Sequence, residues 1–433
     1  MTDIDEAPAS SPTRGKSLWH NRDFMYLWVG QSASEIGSGI TQMAMPLVAV
    51  LVLDVSTLAI GMLSAVTMLP FLLVALPAGA IVDRRAKHRL MMWCDVGRLL
   101  LIASIALVMI PGLDLGLTYA HLMIVALLSG ILTVFFDVAY QSYLPTLLDR
   151  EELREGNSKL GTTQSFARFA APPLGGGLIA VFGAAWTFAV DTFTYTISVV
   201  SLFRIKKTEP APEPRPVGQK MRYEIADGLR FVFKQPVLRK IVASTGTSNL
   251  FTSMSFAMET IFLVRVLDVE PGLVGLVFAV MGAGGMVGGI FAERLSRWFG
   301  TARIIWLSGL VFQLPMFLIP LATPGWGVLL FMVGSFFLVA SSVVYNVSQL
   351  TYRQAITPPA MLGRMNASVR FIVWGTMPLG SALGGVLGSQ FGIRETLWIA
   401  MIGAWSAGLW VFFSPLRKKR DIEELEEYRA NQA

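Results

Sequence analysis

Glu35 is the residue best suited by type and setting to move a proton. It lies roughly 17 Å beyond Phe24 along a helix rising 1.5 Å per residue, with Ser32, Ser34, Gly37 and Ser38 as small or polar neighbours. A carboxylate in such a setting can load a proton on one side and release it on the other. Asp191 and Glu259 are two more acids within apolar stretches, each suited to a second proton or a cationic substrate. Asp95 and Arg98 stand three apart, a spacing at which opposite charges on one helix face neutralise each other. Arg168 and Arg370 have no acid at helical spacing. Each reads as the partner of a carboxylate on another segment, or as an attractor for an anionic substrate. Ionisable groups in such stretches cost several kcal/mol or more, so each is a functional candidate.

The stretches that carry these residues are membrane spans by length and composition. The 433-residue chain is 54% hydrophobic and only 15% charged, against about 25% charged for a soluble globular chain. A bilayer core about 30 Å thick needs roughly 20 apolar residues per helix. Twelve segments meet that need: 24–53, 58–82, 90–110, 117–140, 160–182 and 184–203, then 241–266, 273–291, 304–322, 326–350, 367–391 and 396–413. The expected fold class is therefore all-α integral membrane, with twelve transmembrane helices. One cysteine, Cys94, excludes an intrachain disulfide, and three scattered histidines argue against a metal site. No phosphate-binding loop, nucleophile elbow or zinc-protease motif occurs, so the chain reads as neither an ATP-driven pump nor an enzyme, and it needs no cofactor.

The net charge of +6 is a matter of topology. Of 35 Lys and Arg, all but five fall in the two tails and in alternate loops; the exceptions are Arg98, Arg168 and Arg370 within spans and Arg265 and Arg394 in the opposite loops. The positive-inside rule then puts both termini in the cytoplasm and argues against a nucleic-acid partner. The acidic start, Met1 to Ser11, lacks the basic region of a cleaved signal, so the first span is expected to remain.

The Pro-rich stretch 210–216 reads as an extended linker, followed by Tyr223, Ala226, Leu229 and Phe233 at helical spacing, which fits a helix along the membrane surface or a solvated helical linker. It sets the expected organisation: tail 1–22, six-helix bundle 23–203, cytoplasmic linker 204–240, six-helix bundle 241–413 and charged tail 414–433. The halves repeat. A shift of 209 pairs Tyr143 with Tyr352, Asn157 with Asn366, and Leu174-Gly175-Gly176 with Leu383-Gly384-Gly385. A shift of 210 pairs Gly79, Asp83 and Arg84 with Gly289, Glu293 and Arg294. Two related bundles suggest a substrate path between them, with the halves rocking for alternating access.

The run Gly79-Ala-Ile-Val-Asp83-Arg84-Arg85-Ala86-Lys87-His88-Arg89 resembles the loop 2–3 signature of the major facilitator superfamily, departing from it at Ala86 and His88. Ala171-Pro172-Pro173-Leu174-Gly175-Gly176 resembles that family's antiporter signature, with Ala171 in place of its first glycine. Asn21-Arg22-Asp23-Phe24, Tyr143-Leu-Pro145 and Gly228-Leu-Arg-Phe231 are similar to the branch that holds bacterial macrolide-efflux and enterobactin-export proteins.

The resemblance implies two pseudo-symmetric six-helix bundles in a bacterial cell membrane, working as a monomer. It implies a latch in which Asp83 faces the start of the eleventh span near Asn366 and Arg84 pairs with Asp137. It also implies export: a proton-coupled antiporter for amphipathic, drug-like or macrolide-like molecules, and hence antibiotic resistance. The alternatives are export of a siderophore or another secreted metabolite, and less readily a channel or a lipid scramblase.

Overall fold

The computed structural model of the chain describes residues 18–82, 84–110, 116–149, 152–207, 209, 229–358 and 361–424. The first helix, α1 (Arg22–Leu51), starts at Asn21, whose side chain accepts the Phe24 backbone N–H at 3.2 Å. There follow α2 (Thr57–Leu73), α3 (Ala75–Val82), α4 (Lys87–Val108), α5 (Tyr119–Leu147), α6 (Leu153–Phe182) and α7 (Ala184–Arg204). The second half holds α8 (Pro236–Ile261), α9 (Pro271–Phe299), α10 (Arg303–Leu307), α11 (Leu318–Leu321), α12 (Val328–Ile356), α13 (Leu362–Phe391) and α14 (Ile393–Phe412). No strand occurs among the described residues.

These helices fall on all twelve predicted segments, and eight helical stretches are long and apolar enough to cross a membrane. The long helices α1, α7 and α8 are not among the eight. They bear Glu35, Asp191 and Glu259 together with many hydroxyl side chains, and that polarity lowers their hydropathy.

Two predicted spans are broken. The second divides at Val74 into α2 and α3, four residues past Pro70, which has no N–H to give the helix ladder. The ninth loosens into a π turn at Ser308–Phe312 and tightens into a 3-10 turn at Leu314–Phe317, between α10 and α11. The fourth and eighth spans run beyond their apolar windows, to Leu147 and Phe299, and the fifth starts earlier, at Leu153. An apolar window measures the hydrocarbon part only, and these helices project past it.

The two halves are built alike. The helix α1 packs on α6 and α7 as α8 packs on α13 and α14, and α2 packs on α5 as α9 packs on α12. The halves meet through α2 with α13 and through α6 with α9. Both crossings lie toward the end opposite the chain termini. There Arg265 pairs with Asp54 at 2.5 Å and donates to the Val55 carbonyl at 2.9 Å, clasping the α1–α2 turn to the turn after α8. No comparable packing joins α4 or α5 to the second half among the described helices. Among the described residues, the halves are sealed together at that end.

The linker stretch 210–216, with Tyr223 and Ala226, lies outside the described residues. Residues 229–234 are helical, with Val232 buried and Phe233 exposed.

Candidate functional site

Glu35 sits on the face of α1 that looks toward α6. Its Oε1 accepts from Gln31 Nε2 at 2.9 Å, one turn back, and from Gln164 Nε2 of α6 at 3.2 Å. It makes no ion pair among the described residues. Its charge also faces Asp137 and Tyr140 of α5. Amide donors hold the carboxylate in place without supplying the positive charge that would fix it as an anion.

Beside it lies a network of buried groups. Arg98 donates to Asp95, and Ser198 of α7 donates to the other Asp95 oxygen at 2.6 Å. The Arg98 guanidinium is sandwiched between the Phe136 ring at 4.4 Å and the Tyr195 ring at 4.9 Å. Both ring faces attract the cation. The Tyr195 hydroxyl shares a 2.8 Å bond with Ser38 of α1. The neutralisation expected of Asp95 and Arg98 is present, with two aromatic walls added to it.

Asp137 faces Arg98, Glu35 and Arg168. Arg98 faces Asp95, Asp137 and Asp191, and Arg168 faces Asp137, which in turn faces Glu35, so acid exceeds base in this cluster. Such an excess is what protons or a cationic ligand can neutralise.

Asp191 is fully buried between α7 and α1, where Thr41 donates to it at 2.5 Å and Thr194 at 3.0 Å. Gly37 makes that fit possible, because a β-carbon there would run into both Thr194 and Asp191. Glu259 is 1% exposed, and among the described residues only the Ser255 hydroxyl donates to it, at 3.2 Å. Arg168 and Arg370 are exposed and form no ion pair among the described residues. Arg370 instead lies 5.5 Å from the Trp374 ring centre, and Trp374 meets Phe71 of α2 edge-on at 6.0 Å.

Asp83 lies outside the described residues. Arg84 is exposed and forms no ion pair with Asp137. A β-carbon on Gly79 would meet nothing within 4 Å, so no described helix approaches it closely in this conformation. His88, where the loop signature has a basic residue, bonds to the Leu202 carbonyl at 2.8 Å and stacks on Tyr143. Glu209 caps the start of α4, accepting from Lys87 Nζ and the His88 N–H at 3.2 Å each. In the second half, Glu293 pairs with Arg297 at 3.9 Å and Arg294 lies over Phe291. The nearest atom beyond its own helix to a β-carbon on Gly289 is 3.9 Å away, on Val343. Asn366, the expected neighbour of Asp83, accepts from Arg353 Nη2 at 2.7 Å.

The antiporter-like motif sits where the halves cross. Ala171 is buried against Gly39 of α1, and Gly175 lies over Ile40 and Met43. Gly176 meets Gly275 of α9, and the Pro172 carbonyl lies 2.6 Å from a β-carbon placed on Gly275. Its repeat equivalent Gly385 meets Gly61 of α2, so the repeated glycines form the two crossings of the seal.

Sequence reasoning gave no role to Gln31, Gln164, Tyr195, Ser198 and Arg353, and named Ser38 only as a small neighbour of Glu35. The signal for the first group was legible as spacing: Gln31, Glu35 and Ser38 recur every three or four residues on α1, as do Asp191, Thr194, Tyr195 and Ser198 on α7. Arg353, 7% exposed and held by Gln349 and Asn366, has no acidic partner in its own stretch to mark it.

The chain is similar to the multidrug efflux pump Tap of Mycolicibacterium fortuitum, at 27% identity over 89% of this chain and 94% of that protein. It is also similar to macrolide efflux protein A of Streptococcus pyogenes (22%, covering 88% and 92%) and to the enterobactin exporter EntS of Escherichia coli (23%, covering 86% of each). Among solved structures, the fold matches a bacterial homologue of the iron transporter ferroportin in an inward-facing state, with TM-score 0.74 and 15% identity over 91% of this chain and 98% of that one. It also matches an inward-facing bacterial homologue of the human lysosomal transporter Spinster, with TM-score 0.68 and 13% identity over 92% and 97%. The family model described as transmembrane secretion effector matches residues 17–432. The residue motifs, the paired bundles and this match agree: the chain belongs to the transmembrane secretion effector family of major facilitator transporters.

Proposed function

We propose that the chain is a proton-coupled antiporter that exports amphipathic small molecules from the cytoplasm by alternating access. The observation that carries this reading is the setting of Glu35. Two neutral amides hold it, no ion pair fixes its charge among the described residues, and the network beside it has more acid than base. Glu35 takes a proton from the outer side, and substrate entering from the inner side displaces it. Asp191 and Glu259 are secondary sites for a proton or a cationic substrate, and Arg168 and Arg370 answer an anionic group.

The sealed end is the outer one in this reading, and both termini are cytoplasmic, as the distribution of basic residues favours. The Pro172–Gly176 motif and its partners form the outer seal, and Asp83, Arg84 and Asp137 form the inner latch when the halves rock the other way. The similarity to efflux proteins for macrolides and other drugs supports a drug-like cargo. A second reading, export of a siderophore or another secreted metabolite, is supported by the similarity to an enterobactin exporter.

The test is transport in inverted membrane vesicles. Cargo-dependent loss of an imposed proton gradient, absent in Glu35→Gln, supports antiport. Flux of cargo that ignores the gradient points to a channel or scramblase.

A further inference from the structure

In the second half, the broken ninth span borders a small cavity of about 30 Å³ between α8, α12 and α14. Its polar wall is uncharged: Ser244 and Thr245 come from α8, Ser341, Ser342 and Tyr345 from α12, and Gln313 from the break itself. Most of these hydroxyls have already given their protons away. Thr245 donates to the Ile241 carbonyl at 2.9 Å, and Ser341 and Ser342 both donate to the Leu338 carbonyl, at 3.1 and 2.7 Å. A hydroxyl so engaged offers only lone pairs to whatever fills the space beside it. The Tyr345 hydroxyl is taken up in turn by Thr245 at 2.8 Å.

Gln313 supplies the independent sign of a ligand. It is 4% exposed, lines the cavity, and its side chain makes no hydrogen bond among the described residues. Buried amides ordinarily find partners. The helix break also brings Gly309 of the π turn to the cavity wall, while the neighbouring Leu310 carbonyl accepts from Trp405 Nε1 at 3.0 Å. Unwound backbone beside hydroxyl groups is a setting in which transporters coordinate small cations.

Size and charge narrow the ligand. A cavity needs roughly 10–15 Å³ of this kind of volume to hold one water-sized body, so this one holds one or two. No group of three or more His, Cys, Asp or Glu that could hold a metal occurs among the described residues, and divalent ions favour carboxylate oxygens. We propose that this cavity binds one monovalent alkali cation of sodium size, held by hydroxyl oxygens of α8 and α12 and by the Gln313 carbonyl oxygen. The site lies wholly in the second half and does not depend on Glu35.

The test is thermal unfolding of the purified full chain in detergent, titrated with sodium chloride against choline chloride at matched ionic strength. A ligand that binds only the folded state raises Tm in a saturable way. The expected result is a saturable rise with sodium that choline does not reproduce. Gln313→Leu and Thr245→Val should weaken the apparent sodium affinity about tenfold or more, the loss that about 1.4 kcal/mol produces. If Gln313→Leu does not fold, Ser342→Ala takes its place. Sodium NMR relaxation on the parent protein gives a reading that needs no variant: line broadening is expected. Equal Tm in sodium and choline, with no broadening, would mean an ordered water only and would overturn the proposal.

Discussion

Gly176 of α6 and Gly275 of α9 cross so closely that a β-carbon on Gly176 would stand 2.9 Å from both the Cα and the N of Gly275. Neither position has room for a side chain, and in membranes such small-residue crossings let van der Waals packing join helices. The residues are in opposite halves, so the contact must part whenever the sealed end opens. The antiporter-like motif is therefore part of the seal itself.

Gly176→Leu should prise the sealed end open. Forcing extra carbons into a packed crossing costs about 1–3 kcal/mol, on the order of a tenfold or greater shift away from the sealed state. Cys94 is buried and is the chain's single cysteine, which makes a clean background once it is replaced by Ala. A cysteine at Met43 should then react with an impermeant maleimide from the outer face in the Gly176→Leu variant, and slowly in its parent. Equal labelling in the two would mean that the crossing is not the seal.

Arg98→Met should be strongly destabilising. It would leave Asp95 buried and uncompensated, a loss of about 3–5 kcal/mol in comparable buried pairs. Removing the acid as well, in Asp95→Leu/Arg98→Met, should recover much of the loss in detergent melting curves. Failure of the double variant to recover would show that the aromatic sandwich from Phe136 and Tyr195, rather than the ion pair, sets the cost.

Glu259→Gln should fold normally, because Ser255 can still donate to the amide oxygen and one charge is removed from apolar surroundings. As a secondary proton site, its loss should lower the number of protons moved per cargo molecule while Glu35-dependent transport persists. Unchanged stoichiometry would leave Glu259 with a packing role.

Asp83→Asn should leave insertion and cargo binding intact and slow the conformational cycle. Cargo binding measured separately from turnover checks this, and normal turnover would remove the inner latch from the mechanism.

Much of this was legible in the sequence, because apolar length, basic-residue bias and glycine spacing are local signals. The twelve segments, the Asp95–Arg98 pair and the repeated Gly175-Gly176 and Gly384-Gly385 pairs could all be read from one strand of text. What was not legible depends on neighbours from distant segments. Asp191 was visible as an acid suited to a cationic substrate or a second proton, whereas the hydroxyl that Thr41 brings to it is 150 positions away and Gly37 clears the space. Glu35 was visible as an isolated acid, whereas its second amide, Gln164, is 129 positions away. Loop 2–3 showed its charges but not the state of the gate. Among the described residues Gly79 has no close neighbour and Arg84 no ion pair, so the latch proposed for them belongs to another conformation.

The most direct test of the account is proton movement in inverted vesicles from cells overproducing the protein, followed with a pH-sensitive dye while candidate drugs and siderophores are added singly. The account predicts that at least one cargo collapses the imposed gradient, and that Glu35→Gln abolishes the response at equal membrane abundance. A full response in the Glu35→Gln variant would contradict it.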